Sequence, residues 1–506
     1  MSSRLFISRA GTTASAVSPF RRANINMPLK AKILTADFGS ESKRSRDKEV
    51  EHTIKELPED EPRDVVFNSL YGLRTMELNR PKKLNSLNAS MIRKIVPRMI
   101  EWERSALANV VVIKGAGDKA FCAGGDVAAL AEQNKQGLEG QKASADYFAL
   151  EYKLNHYIAT YQKPYIAFMD GITMGGGVGL SIHAPFRIAT ERTVFAMPET
   201  TIGFFPDVGA SFFLPRMNGA IGTYLALTSE RLTGANVFYS GVATHYLHSS
   251  SLPSLESRLA ELRFKDYDSM EKRLAIIEMT IEEYVTGLPQ KEPILLAGEL
   301  RKAIDRCFSK DSVEGVIGAL KEEQGATKDW AEKTLYTLHQ RSPTAVHVAF
   351  RQMQIGRTWS IEETFKREHQ IATRFMSHND FAQGVWARLI SKDKPKPTPK
   401  WEPASLEDVP PEGDIEAPFF EESSDTPNLE LLTGRNYTEY PHNSYGVPSE
   451  DDVERVVSEG AKTRREVAEH FVRQKGGRQG ISTVVHEILH RKTRVDEDGK
   501  AVWAYE

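Results

Sequence analysis

A regular rhythm of apolar positions starts at Asp64. DVVFNSLYGLRTMELNRP alternates well enough to predict two short strands joined by a turn. NASMIRKIVPRMIEWERS then spaces Met91, Ile95, Met99 and Trp102 along one helical face, with Pro97 expected to interrupt and kink that helix. NVVVIKG at 109–115 is a continuous apolar run closed by glycine, as in a strand buried on both faces. A glycine-rich loop, AFCAGGD, and a helical VAALAEQ complete one β-turn-α unit. After a helix over 144–161 the signals return, with PYIAFMDG as strand, MGGGVG as turn and LSIHA as helix, and FRIAT and TVFAM as further strands. This repetition predicts an α/β core with strands stacked in sequence. From about residue 209 helical patterns dominate, until the proline-rich KPKPTPKWEP at 394–403 stops them.

The resulting domain plan has a charged linker over 37–62, an α/β core over 63–250, a helical part over 251–393, a Pro-rich and acidic linker over 394–448 and a basic helical appendage over 449–506. Residues 1–36 carry Arg4, Arg9, Arg21, Arg22, Lys30 and Lys32, five serines and no acid. That composition fits a mitochondrial transit peptide better than a secretory signal, a basic tail being the plainer explanation. The chain has 506 residues, 40% of them hydrophobic, which is ample for a large core. A net charge of −3 gives the whole chain no nucleic-acid footprint. Cys122 and Cys307 are too few for a disulfide scaffold or a thiolate metal site. No run of 18 apolar residues predicts a membrane span.

Local charge is less even. Between Trp401 and Gly434 stand ten acids and no Lys or Arg, the pattern of an extended linker or a surface-hugging arm. Over 455–494, ten Lys or Arg face four acids, which suits either docking to RNA or an acidic partner, or a solvated cap. HEILH at 486–490 matches a zinc-protease signature, but only 16 residues follow and no third ligand is evident. No metal is expected there.

The densest candidate chemistry lies in Asp170–Asp207, where a triple glycine precedes two acids, Glu199 and Asp207, in an apolar setting. Glycine turns that feed helices can aim backbone N–H groups at one acyl oxygen. Each feature also has a plainer explanation: close helix–strand packing for the glycines, the first turn of a short helix for Glu199, and an N-cap for Asp207. The residues alone leave both readings open.

AFCAGGD and GITMGGGVG, with NRPKKLNSLN and FAMPETTIGFFPDVGASFFLPR, resemble the crotonase (enoyl-CoA hydratase/isomerase) superfamily. RSPTAVHVAFRQM and HNDFAQGVWARLISKDK narrow the resemblance to its 3-hydroxyisobutyryl-CoA hydrolase branch, over about 64–402. It implies a crotonase fold of repeated ββα units with a helical C-terminal part, to which the appendage is added. It further implies hydrolysis of a CoA thioester, 3-hydroxyisobutyryl-CoA, in valine catabolism in the mitochondrial matrix, with CoA as part of the substrate and no separate cofactor. By position, Gly125 and Gly176 supply the oxyanion hole, Glu199 the catalytic carboxylate and Asp207 the second carboxylate. The glutamate that hydratases place two residues beyond the glycine triplet is Gly179 here, which argues against hydration. Glu199 as nucleophile and Glu199 as general base both stand open. The resemblance places CoA near Lys82, Lys83, Leu84 and Asn85, with Ala123 and Asp126 bordering the acyl-proximal loop. Gln383 and Trp386 depart from the Glu-Gly-Val-Arg of the hydrolases, and that departure leaves CoA affinity and a homo-oligomeric state open. Fungal relatives of the hydrolase are also components of the mitochondrial ribosomal small subunit, which adds docking there to the expectations.

Overall fold

The computed structural model describes residues 54–409, 415–421 and 428–504, so the basic segment 1–36 lies outside them. β1 (Val65–Leu70) and β2 (Leu73–Leu78) form the expected antiparallel hairpin. α1 (Ala89–Arg104) starts where Asn88 Oδ1 accepts from the Met91 N–H at 2.8 Å, and it buries Met91, Ile95, Met99 and Trp102. The helix is not interrupted at Pro97 but runs through it as one element of 16 residues. In β3 (Val110–Gly115) Val111 and Ile113 face one hydrophobic cluster while Val110 and Val112 face another, the double burial that a continuous apolar run predicts.

The chain then moves between two sheets. β4 (Ala120–Cys122), α2 (Val127–Asn134) and α3 (Leu138–Ala159) lead to β5 (Tyr165–Met169), β6 (Ile172–Met174) and α4 (Gly176–Ser181). β7 (Phe186–Ala189), β8 (Val194–Ala196), α5 (Ala210–Phe213), β9 (Leu232–Thr233) and β10 (His245–Tyr246) follow. The six-stranded sheet runs β1-β2-β3-β5-β7-β10, parallel from β2 onward, and the four-stranded sheet runs β4-β6-β8-β9. Each repeat therefore places one strand in the large sheet and a short one in the small sheet before its helix. These are the ββα units the resemblance implies.

The pattern assigns Met174 to the glycine turn and leaves Ile172 and Thr173 in no strand, whereas all three form β6. The two strands part at Gly171, whose φ is +95° and whose Cβ would stand 2.6 Å from Lys119 O, so only glycine passes this corner without strain.

The helical part includes α6 (Met270–Glu282), α7 (Gly298–Phe308), α8 (Pro343–Ile355), α9 (Ile361–Ser377) and α10 (Asn379–Val385). Both linker assignments need correction where residues are described. Within 37–62, Ile54 is buried in the main core and Asp60 pairs with Arg93 of α1, so charged residues here grip a helix rather than solvent. Within 394–448, Leu406, Phe419, Leu429 and Leu432 enter the same core. Arg435 pairs with Glu103 at 2.7 Å, and the Tyr440 hydroxyl donates to Ala184 O at 2.7 Å. Apolar side chains spaced among the acids turn this stretch into a strap over the body.

The appendage consists of α11 (Glu450–Ser458), α12 (Arg464–Gln474), α13 (Ile481–Lys492) and a hairpin of β11 (Thr493–Val495) with β12 (Ala501–Trp503) around its own small core. Five of its basic residues are held by partners within the fold. Arg478, 6% exposed, pairs with Glu278 and Glu282 of α6. Arg491, 2% exposed, pairs with Glu450 and Glu487 and stands 3.7 Å from Asp305 of α7. Lys475 donates to Gly446 O, Arg464 to the Thr493 hydroxyl, and Lys492 lies by Asp305 and Glu450. Of the HEILH residues, His486 and His490 are exposed and Glu487 is held by Arg491, and among the described residues no three potential ligands converge.

Candidate active site

Glu199 opens a 3-10 turn, Glu199–Ile202, directly after β8 and Pro198. Gly203, with φ +72°, closes the turn by donating its N–H back to Glu199 O. No side chain fits there, because a Cβ would stand 2.2 Å from Asp380 O. The Glu199 side chain is thus held buried, its Oε2 without a hydrogen-bond partner and its Oε1 so close to Gly175 that a Cβ there would stand 3.0 Å away, tighter than ordinary contact. Burial, and then the charge of Asp207, raises its pKa well above the ordinary carboxylate value.

Asp207 is not an N-cap. α5 begins at Gly209 with no side-chain cap, and the Asp207 carboxylate instead accepts from the Tyr152 hydroxyl of α3 at 2.8 Å. Burial pushes its pKa up to about 7. The next residue, Val208, has φ +55°, a strained conformation for a β-branched residue. Its surroundings hold it there. His183 Nε2 contacts Val208 O at 3.0 Å, and the Glu368 carboxylate of α9 accepts from the N–H groups of Gly209 and Ser211 at 2.7 and 2.9 Å.

Two glycine backbones border the same space. Gly176 is the first residue of α4, so its N–H has no partner within the helix. Gly125 lies in a bridge with Leu87 whose bonds run through Gly124 O and the Asp126 N–H, outside the Gly125 N–H. A Cβ on Gly176 would stand 3.2 Å from Gly125 N, so the two loops meet backbone to backbone. Gly125, Gly176, Glu199, Asp207 and Ala123 line one cavity of about 470 Å³.

The remaining CoA candidates lie apart from that wall. Leu84 and Asn85 are left-handed, with φ +51° and +55°, and the Asn85 amide donates to Ala116 O and Ala120 O, which makes it a clamp of the loop. Lys82 is exposed, and Lys83 and Arg80 both pair with Asp126, at 3.0 and 3.1 Å.

The cavity holds a further acid that the sequence reading missed. Glu151 of α3 is buried, its Oε1 lacks a partner, and that oxygen would stand 2.6 Å from a Cβ on Gly176. Burial, then Asp207, raises its pKa well above the ordinary value. A signal was present: Tyr147, Phe148, Glu151, Tyr152 and Asn155 share one helical face, and an acid amid aromatics on the core side is anomalous. At Gly179 a Cβ would meet Val208 Cβ at 2.7 Å and the Asn155 amide at 2.9 Å, so the hydratase glutamate has no room.

A pocket that brings two backbone donors together with buried, unpartnered carboxylate oxygens is suited to chemistry at an acyl carbonyl. The sequence comparison agrees, as the family model for enoyl-CoA hydratase/isomerase proteins matches residues 73–419. The chain belongs to the enoyl-CoA hydratase/isomerase family.

Curated relatives match different shares of the chain. The chain is 56% identical over 495 residues to small ribosomal subunit protein mS47 of Neurospora crassa, covering 97% of this chain and 96% of that protein. It is 44% identical over 346 residues to the mitochondrial 3-hydroxyisobutyryl-CoA hydrolase of Danio rerio, covering 68% and 87%. Among solved structures of the enoyl-CoA hydratase/isomerase type, a carnitinyl-CoA dehydratase from Mycobacterium thermoresistibile superposes with a TM-score of 0.61 at 32% identity, over 74% of this chain and 100% of that one.

Proposed function

We propose that the protein hydrolyses 3-hydroxyisobutyryl-CoA to 3-hydroxyisobutyrate and CoA in the mitochondrion. The observation that carries this reading is Glu199: a buried carboxyl with an unpartnered oxygen, in one cavity with the Gly125 and Gly176 N–H groups, while the second hydratase acid has no place at Gly179. The thioester oxygen accepts from the two N–H groups, which stabilise it as it gains charge; one such donor is worth roughly 3–4 kcal/mol in the transition state. Ionised Glu199 then acts by one of two routes. As nucleophile it bonds to the acyl carbon, the C–S bond breaks, the thiolate takes a proton, and water cleaves the anhydride to restore the carboxylate. As base it takes a proton from a water that attacks directly. In a single turnover in ¹⁸O-water, label in the Glu199 carboxyl identifies the first route. Asp207, oriented by Tyr152, receives the 3-hydroxyl, and an acceptor left unpaired by esters lacking that group gives selectivity.

The test is thiol release from 3-hydroxyisobutyryl-CoA by the purified chain and by Glu199→Gln. Loss of release in the variant supports the assignment, and full retention sinks it.

A second reading has its own observation. The Neurospora mS47 match extends through the appendage, whereas the Danio rerio hydrolase match covers only 68% of this chain. On that basis the protein is also a component of the mitochondrial ribosomal small subunit. Sucrose-gradient sedimentation of mitochondrial lysates, with the full chain and with residues 446–506 deleted, checks it. Absence of the full chain from subunit fractions refutes the role, and unchanged co-migration of the deletion shows that the tail is not the anchor.

A further inference from the structure

The appendage does not present the cationic face that its composition suggests. On its surface Arg455, Lys462 and Arg465 stand 3.4, 3.0 and 2.8 Å from Asp452, Glu459 and Glu469, acids of the same element or the turn beside it. Unpaired cations lie instead where the helical part ends. From Trp386 to Lys400 five cations face one acid, Asp393, whose carboxylate accepts from the Ser391 hydroxyl at 3.1 Å. Lys392, Lys394, Lys396 and Lys400 are exposed, and among the described residues none of them pairs with a carboxylate; Lys396 donates to the neutral Arg388 O.

This arm is held in place. The Ser391 N–H donates to Trp386 O at 2.8 Å, Pro399 is buried, and the Glu402 N–H donates to Asp380 Oδ1 at 2.8 Å. Pro395, Pro397 and Pro399 keep it out of a helix. Aromatic rings stand beside the charge. Trp386 and Tyr336 are 41% and 69% exposed, although Val385, Ala387 and Leu338 next to them are buried. Arg388, in the same turn as Trp386, is an electrostatic neighbour of Tyr336. Trp386 is one of the two departures from the hydrolase pattern, so the shared chemistry does not account for it. Nor do the lysines belong to the catalytic cavity, which takes only Arg388 and Leu389 from this stretch.

A row of lysines on a loop is by itself an ordinary solvated surface. Two exposed rings beside it add flat apolar faces that a partner can cover. The combination fits an unpaired nucleic-acid strand, whose phosphates meet the lysines while its bases, each with a π-face, stack on the rings. A duplex keeps its base faces stacked inside and would leave the rings unused. Because the arm is already ordered, docking loses little chain entropy.

We propose that Trp386 and Tyr336, with Lys392, Lys394, Lys396 and Lys400, form a docking surface for single-stranded RNA. That the RNA is ribosomal rests on the second reading above; the surface itself does not.

The test is fluorescence anisotropy of a labelled, unstructured RNA of about 20 nucleotides, longer than one such platform covers, titrated with the purified full chain over a range of NaCl. One variant changes Lys392, Lys394, Lys396 and Lys400 together to Gln, a second is Trp386→Ala, and a control on the appendage combines Arg465→Gln with Arg473→Gln. The lysines are exposed, so the first variant keeps the fold, and its urea midpoint is checked alongside. It is expected to lose about 10- to 100-fold in affinity at about 0.1 M salt. Its slope of log K against log salt becomes shallower by about 3, since each phosphate contact on a single strand contributes roughly 0.7. Trp386→Ala loses about 5- to 100-fold with the slope unchanged, as for one stacked base. The appendage control binds as the wild type does. A wild type that does not bind the RNA overturns the proposal, as does wild-type affinity in the lysine variant or an equal loss in the appendage control. Polyglutamate bound as tightly as RNA, with Trp386→Ala indifferent to both, identifies an acidic protein partner and overturns it too. So does displacement of the RNA by CoA at equal concentration, which assigns these cations to the substrate site. The expected losses uphold the surface even where the chain is absent from subunit fractions, in which case the ribosomal reading alone fails.

Discussion

Glu199 is held toward its acid form by the same burial that makes its carboxylate basic. Both hydrolytic routes need the ionised form, and its pKa is raised by burial, by Asp207 and by Glu151. The acid limb of kcat/KM therefore lies well above the ordinary carboxylate range of roughly 4. Removing one negative neighbour lowers a raised carboxylate, so Glu151→Gln moves that limb to lower pH; a limb that stays in place in the pH profile contradicts the coupling. Glu199→Gln lowers kcat by at least about a hundredfold, as expected for loss of an acid–base or nucleophilic group. Gly179→Ala drives a methyl against Val208 and Asn155 and costs about 1–3 kcal/mol, measured by urea unfolding. At this scale the sequence was readable where an acid stood alone among glycines and apolar residues, as at Glu199 and Asp207. Glu151 shows in the sequence only as an acid amid aromatics on one helical face; that it shares a cavity with Glu199 and Asp207 shows only in the fold, because the three lie far apart in the chain.

Elements bring those residues into register, and α9 shows how. Glu368 reaches from it to hold the Gly209 and Ser211 N–H groups and so keeps Val208 in its left-handed turn beside Asp207. Burial raises the Glu368 pKa to about 8, against about 4.3 in an unfolded chain. Such a group stabilises the fold most below about 4.3, and that contribution is lost as pH rises through about 8. The Tm of the wild type is thus expected to fall between pH 5 and 8.5, and Glu368→Gln to flatten part of that fall. Thermal scans across this range decide the matter; a parallel decline in the variant goes against it. The ββα rhythm of the elements was legible because glycine turns and helical spacings mark each unit. The second sheet was not: β4 and β6 have only three residues each, too short a pattern to separate from the glycine turns that follow, and β8, legible as a strand, carries no mark of which sheet it joins.

In the whole molecule, segments that look like solvated linkers in composition act as fasteners. Net acidity over 401–434 disguised Phe419, Leu429 and Leu432 as linker residues, and an excess of basic residues over 455–494 suggested a free surface where Arg478 and Arg491 are ion-paired inside. A buried cation removed from its partners leaves them uncompensated, so Arg478→Ala costs about 3–5 kcal/mol in urea unfolding. Being sheltered, these contacts respond little to salt, whereas a cap held by surface charge loosens as the screening length shrinks. Limited proteolysis at low and high NaCl is therefore expected to release residues 449–506 equally slowly; faster release at high salt goes against the latch.

The strap has a consequence in time as well as in space. Arg435 grips Glu103 across 332 residues of chain, and its carbonyl meets His156 Nε2 at 3.0 Å. A chain made from its N-terminus at about 5–20 residues per second waits roughly 15 to 65 s between the two ends of that contact. During that interval α1 and α3 stand without the strap that later covers them.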